Sequence, residues 1–299
     1  MSKISIIIPT FERGDLLWQC LLALSGQLRV DMSDVEVIVV ENGPISGANE
    51  ITNSLSERFQ SLRYFHEGAL GVSRARNLGL RHAKGEILAF LDDDEVPEPE
   101  WLSELIRPFF WTGQRANIVC GENEPIWHED RPEWLSDSLL HSYSVCARWS
   151  PDVAAMESGQ WVFEGNCAVE TKLLRNAGGF DEALGRVSGD LLSGEGIIFE
   201  KIRMQGALAV FNPAAVVRHH IFAEQLTLEW LFRRWFAQGR EDAINHGDNP
   251  EWPARLSKAT LQLDVFANQS FDNLTPAQVL KGAQLHRTLG FVAQSQGVL

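Results

Sequence analysis

Blocks of consecutive apolar residues alternate with stretches of helical periodicity over the first 110 positions of this chain. Residues 4–9, ISIIIP, are apolar except for Ser5 and stop at Pro9 and Thr10, the pattern of a strand buried on both faces. Asp15 is then placed to cap a helix on which Leu17, Leu21, Leu24 and Leu28 recur at helical spacing. Residues 35–40, VEVIVV, form a second buried strand, closed by Glu41-Asn42-Gly43-Pro44. Residues 47–60 read as a helix with a polar face and 62–66 as a short strand. Residues 71–84 read as a helix ended by Gly85, and 86–91 as a fourth strand. Pro99 suits the first turn of a helix carrying Trp101, Leu102, Leu105 and Ile106.

This alternation predicts right-handed βαβ units and a parallel sheet. Ligands of open α/β sheets lie at the carboxyl ends of the strands. The segments after strands one, two and four are Thr10-Phe11-Glu12, Glu41-Asn42-Gly43 and Asp92–Glu95, and all three are expected along one edge. The second half is less regular. Residues 122–160 read as a long irregular connection holding Trp127, Trp134 and Trp149. A strand over 161–170, a short helix over 171–177, a helix over 195–205 and strands over 207–211 and 214–221 follow. Helices over 227–240, 251–270 and 275–295 complete the reading.

Composition narrows the picture. The 299 residues are 44% hydrophobic, enough for a sizeable core, and carry a net charge of −14. That balance argues against a nucleic-acid binder, which needs a basic face for phosphates, and leaves room for a local basic pocket. The four cysteines, Cys20, Cys120, Cys146 and Cys167, are widely spaced, as expected of buried thiols in a reducing compartment. No apolar run reaches the ~20 residues of a membrane span, so a soluble, cytoplasmic protein is expected.

The candidate chemistry lies in FLDDDE. Asp92, Asp93, Asp94 and Glu95 follow a core strand directly, and adjacent like charges repel unless water or a cation relieves them. A solvated acidic loop is the bland reading. A divalent cation bridging these carboxylates to a diphosphate is the functional one, because hard cations take oxygen ligands and stabilise a charged leaving group.

Five segments in order decide for the second reading by resemblance. They are ISIIIPTFER, VEVIVVENG, GVSRARNLGLRHAKGEILAFLDDDEVPEPEWL, EGNCAVETKLLRNAGGFDEAL and LLSGEGIIFEKIRMQGALAVFNPAAVVRHH. Together they resemble the inverting family 2 glycosyltransferases over about residues 3–222. The resemblance implies a GT-A (Rossmann-like) fold, an α/β protein with a mostly parallel central sheet flanked by helices. Residues 1–222 would form the nucleotide-sugar and acceptor domain and 223–299 a C-terminal helical extension. It further implies that Pro9, Thr10, Phe11 and Glu12 hold the nucleoside and that Glu41, with Asn42 beside it, faces the base or ribose. Arg76 and Asn77 would lie near the nucleotide. Asp92 and Asp94 match the sugar-nucleotide and metal carboxylates, with Asp93 between them at the donor site. Asp94 and His219 are assigned to Mn2+ or Mg2+. Asp93 and Glu95 are expected to turn outward.

Each of these has a structural reading too: Arg76 as a surface ion pair, Asn77 as a local cap, Phe11 and His219 as core. The implied donor is a nucleotide-diphosphate sugar, UDP foremost, and the acceptor a saccharide or lipid-linked hydroxyl. The helix over 227–240 carries Trp230, Leu231, Trp235 and Phe236 with Arg233, Arg234 and Arg240. It either packs against protein or makes peripheral contact with the inner face of a membrane.

One departure from the family pattern matters. Relatives carry two acidic residues in a row where this chain has Glu195-Gly196, and the second is commonly the general base. Gly196 cannot accept a proton. Glu195 or Asp190 then serves as base, or the chain is a weak or inactive transferase that still binds nucleotide sugar.

Overall fold

The computed structural model of the protein describes residues 3–145, 149–185, 196–246 and 274–295. Its first half follows the apolar blocks closely. β1 (Ile4–Thr10), β2 (Val35–Asn42) and β4 (Ile87–Leu91) are buried along their whole length, as two-sided strands must be. β3 (Leu62–Glu67) lies at the edge and is only partly covered. β2 and β4 both pair parallel with β1, and β3 pairs parallel with β2. The helices α1 (Gly14–Leu24), α2 (Ala48–Leu55) and α3 (Val72–His82) connect them. Alternate residues of the strands feed two cores. Ile6 and Ile8 pack with Leu17, Leu21 and Trp101, while Ile7 packs with Ala75, Leu80 and Phe180.

The rest of the sheet is mixed in direction. β5 (Glu95–Pro97), α4 (Trp101–Ile106), β6 (Ile118–Trp127), β7 (Ala154–Ala155), β8 (Asn166–Glu170), α5 (Thr171–Asn176), α6 (Ile197–Met204) and β9 (Ala209–Ile221) follow in chain order. Among the described residues the sheet has nine strands, ordered β3-β2-β1-β4-β8-β6-β9-β5, with β7 on β9. β8 pairs antiparallel with both β4 and β6, and β5 and β7 pair antiparallel with β9. The sheet is therefore parallel across its first four strands, and β8, β5 and β7 join it antiparallel.

Several local expectations change. α1 starts at Gly14, with Arg13 in the capping position and no side-chain cap, so Asp15 sits in the first turn instead of capping it. Its charge still meets the helix dipole favourably there. The helix expected over 47–60 shortens to α2 plus a 3-10 turn at Ser56–Arg58. The strand expected over 161–170 is only β8, and the two strands over 207–221 are one. The irregular connection contains the end of β6 and a 3-10 segment, Asp137–Tyr143. The helix expected over 251–270 lies outside the described residues.

The chain divides into two compact units. One holds the described residues of 3–126, 144–185 and 196–220, with the sheet. The other holds 127–143 and the described residues from 221 onward. Within this second unit α7 (Leu228–His246) packs along α8 (Pro276–Ser295), where Arg287 pairs with Asp242 at 2.6 Å. The Trp230 ring stacks on Tyr143 at 4.8 Å, and Trp235 Nε1 donates to Ser142 Oγ at 2.9 Å. Leu231, Phe232 and Trp235 are buried, so the apolar face of α7 is covered by protein inside its own unit. No helix among the described residues is long and apolar enough to cross a membrane.

Candidate active site

β1, β2 and β4 end together, and their parallel register brings Thr10 beside Glu41 and the acidic run just past Leu91. A tight turn, closed by the Glu95 N–H donating to the Asp92 carbonyl at 3.2 Å, leads from β4 into β5. β5 then pairs with β9, setting Glu95 opposite His219 and the Asp94 carbonyl on the His220 N–H at 3.0 Å. The antiparallel pairing of β5 with β9 thus carries the histidines to the acidic turn.

Asp93, Asp94 and Glu95 are all buried, and Asp92 is half-buried. The expectation that Asp93 and Glu95 turn outward is corrected. Asp93 accepts from Thr10 Oγ1 at 2.7 Å, and Glu95 accepts from Asn123 Nδ2 at 3.0 Å and from the Asp92 N–H at 3.3 Å. The partners that turn them inward come from β1 for Asp93 and from β6 for Glu95. Arg13 Nη1 reaches Asp94 Oδ2 at 2.5 Å and Asp93 Oδ1 at 3.4 Å. Arg76, itself buried, meets Asp92 at 2.8 Å.

The two arginines do not balance the site. Burial pushes Asp93 up to about 7, against the pull of Arg13 and with the help of the Asp94 and Asp92 charges. Burial, with Asp92 and Asp94 beside it, likewise drives Glu95 well above the usual carboxylate range. Burial opposes the charge on Arg13, but Asp94 and Asp93 outweigh it and hold the guanidinium more firmly protonated than usual. Four carboxyl groups crowd this turn, and Asp93 and Glu95 answer burial and crowding by holding protons more readily than usual.

The donor set suits a hard divalent ion. Asp94 Oδ1 and His219 Nε2 stand 3.6 Å apart, and His219 Nδ1 is buried without a hydrogen-bond partner. Among the described residues no group of three or more His, Cys, Asp or Glu side chains forms a metal cage. Two protein ligands completed by phosphate oxygens and water is a common arrangement for a hard cation at a nucleotide site.

The other candidates divide by what they touch. Glu41 is buried and accepts from the Ser46 and Ala48 N–H groups, the Ser46 hydroxyl and the Tyr64 hydroxyl. Burial would raise it, but these donors hold its pKa below the ordinary value. Asn42 donates to the Ala69 carbonyl at 2.7 Å and accepts from the Gly71 N–H at 2.8 Å, tying β2 to the start of α3. Asn77 donates to the Phe180 carbonyl and accepts from its N–H, both at 2.9 Å, so its amide holds the Gly179-Phe180 turn. Phe11 is exposed, and Glu12, at φ 52°, turns the chain from β1 toward α1. Glu195 and Asp190 lie outside the described residues. The motif reading passed over Arg13, although PTFER contains it. It also passed over Asn123 and Asn166, which no local pattern marks. Asn166 accepts from Trp101 Nε1 at 2.8 Å and donates to Asn123 Oδ1 at 3.1 Å, bracing the wall behind Glu95.

Comparison with known proteins identifies the family and the fold. The sequence profile described as Glycosyl transferase family 2 matches residues 5–159, and the chain belongs to that family. It is 35% identical over 122 residues to "Glycosyltransferase AglE" of Haloferax volcanii, spanning 40% of this chain and 39% of that protein. It is 24% identical over 273 residues to "Succinoglycan biosynthesis protein ExoM" of Rhizobium meliloti, spanning 86% of this chain and 81% of that one. Its fold matches that of the mannosyltransferase PcManGT from Pyrobaculum calidifontis, solved in complex with GDP-Man and Mn2+. The TM-score is 0.68 at 19% identity, covering 98% of this chain and 86% of that one. The curled α/β sheet flanked by helices is that of the GT-A glycosyltransferases.

Proposed function

We propose that the protein transfers a sugar, with inversion, from a nucleotide-diphosphate donor to an acceptor hydroxyl, using a divalent cation held by Asp94 and His219. The observation that carries this reading is the cluster of four adjacent carboxyl groups, three of them buried, gathered with His219 at the carboxyl ends of β1, β2 and β4 and paired with Arg13 and Arg76. A fold keeps such a cluster where a ligand relieves it. Bound Mn2+ or Mg2+ would supply charge for the departing diphosphate.

The chain's own residues do the rest. Phe11, exposed at the end of β1, offers a face for the base, with Pro9, Thr10 and Glu12 around it. Glu41 and Asn42 hold the loops on either side, which shapes the nucleoside site. Arg76 fixes Asp92, whose remaining oxygen is available to the sugar hydroxyls. Arg13 neutralises Asp93 and Asp94 in the free protein and is placed to exchange them for phosphate oxygens when the cation arrives. UDP is the nucleotide expected from the sequence, and a saccharide or lipid-linked hydroxyl the acceptor.

The experiment is thermal unfolding with UDP, GDP, dTDP and CDP, each with and without Mn2+, on the wild type and Asp94→Ala. A ligand at 100 times its Kd stabilises the native state by about 2.7 kcal/mol. One nucleotide should raise the melting temperature by several degrees, only with Mn2+, and not in Asp94→Ala. No shift with any pair would overturn the reading.

A further inference from the structure

Arg13 and Arg76 both reach the acidic turn, and they are held differently. Arg76 is buried, with Nη2 on Asp92 Oδ1 at 2.8 Å and its guanidinium 5.8 Å from the centre of the Phe180 ring. Arg13 comes in from the junction of β1 and α1 with 39% of its side chain exposed. Its Nη1 lies 2.5 Å from Asp94 Oδ2 and 3.4 Å from Asp93 Oδ1. We propose that Arg13 is a lock on the cation site: its guanidinium competes with a divalent cation for Asp94 and Asp93, and yields those oxygens when a diphosphate offers it others. Cation and nucleotide then bind as a pair, each weakly without the other. The proposal deepens the transferase reading above and rests on it.

Competition follows from where the oxygens point. Asp94 turns Oδ2 to Arg13 and Oδ1 to His219 Nε2, 3.6 Å away, while His219 Nδ1 is buried without a hydrogen-bond partner. A cation between Asp94 and His219 shares its carboxylate with the guanidinium, and two positive charges on one carboxylate repel strongly where water is scarce. Asp93, the next carboxylate, is turned to Thr10 and to the same Nη1. Release of Arg13 is a local event. Glu12, at φ 52°, turns the chain so that Arg13 stands at the capping position of α1, where its side chain caps nothing. The side chain can therefore swing without uncapping the helix. A guanidinium fork matches carboxylate and phosphate oxygens alike, so moving from one to the other conserves its charge-assisted hydrogen bonds. Without a diphosphate, a displaced Arg13 loses those bonds outright.

Coupling of this kind is reciprocal: whatever the nucleotide adds to cation affinity, the cation adds to nucleotide affinity. The lock keeps the acidic turn from collecting cations that bring no donor. Arg76 cannot share the role, because its ion pair is enclosed between Asp92 and the Phe180 ring.

The test titrates Mn2+ into the full chain and follows the electron paramagnetic resonance signal of the free ion. It is run alone and with saturating UDP, GDP or inorganic pyrophosphate, on the wild type, Arg13→Gln and Arg13→Lys. In the wild type a diphosphate that binds should tighten Mn2+ by about 30-fold, inside the usual range for coupled sites. Arg13→Gln removes the competitor, so Mn2+ alone should bind about tenfold tighter, while the nucleotide at saturating Mn2+ binds about tenfold weaker. An arginine that merely braces the turn would weaken both ligands when lost, so the opposite signs are the signature. Arg13→Lys keeps a point charge without the fork, and Mn2+ alone should bind it about threefold tighter than wild type. That variant carries the test if Arg13→Gln does not fold. Mn2+ alone binding no tighter to the folded variant would overturn the proposal, as would tight Mn2+ binding by the wild type that no diphosphate improves. In either case a wild type that binds Mn2+ together with a nucleotide leaves the transferase reading standing. If the wild type binds Mn2+ in no combination, that reading fails and the lock goes with it.

Discussion

The sheet buries carboxylates at both ends of its parallel strands, and the two ends treat them in opposite ways. At the amino end Glu36 accepts from Ser5 Oγ and the Lys84 N–H, each at 2.6 Å, and from Arg63 at 2.9 Å. Burial would raise its pKa, but these donors outweigh the cost and hold it below the ordinary value. At the carboxyl end Asp93 and Glu95 lie deeper in the protein, their donors and the two arginines fall short, and both are driven upward. Depth of burial and supply of donors together decide the outcome. Where the supply is full, a buried carboxylate braces the fold. Where it is short, the carboxylate holds the capacity to bind a cation.

The comparison makes opposite predictions for similar substitutions. The largest effect is expected at the braced end. Glu36→Gln leaves the Lys84 N–H, Ser5 and Arg63 competing for a single carbonyl oxygen and should cost about 2–3 kcal/mol, read from urea unfolding. A variant as stable as the wild type would break the contrast. A smaller change of opposite sign is expected at the other end. Asp93→Asn removes a charge the site does not balance and should stabilise the cation-free protein by about 1 kcal/mol at pH 8. A lower melting temperature would mean that Thr10 and Arg13 satisfy Asp93 after all.

The smallest effect sharpens the contrast through pH. The folded pKa of Glu36 lies below its ordinary 4.5, so its contribution is present above pH 4.5 and is lost as pH falls through the folded value. Stability on that acid limb should fall less steeply in Glu36→Gln than in the wild type. Equal slopes would show that other carboxylates carry the limb.

Much of this architecture was legible in one dimension. Unbroken apolar blocks ending at Thr10, Asn42 and Leu91 announce central strands, since a strand covered on both faces has no polar side to show. The position of the acidic run follows from them, because parallel strands joined by right-handed crossovers end on one edge. The mixed half of the sheet was harder to read. β8 and β9 are held by partners far away in the chain, and their bounds depend on where those partners stop.

Side-chain direction was the least legible. Nothing local says that Asp93 and Glu95 point inward; β9 decides it by pairing with β5. The amide of Asn77 is claimed by a turn more than a hundred residues later. Nothing around Arg13 marks its partners, and only the fold brings it to Asp93 and Asp94, 80 and 81 residues later. The order and burial of strands depend on neighbours along the chain, which composition and periodicity record. Which charge meets which donor depends on contacts between distant segments, and those exist only once the chain has packed.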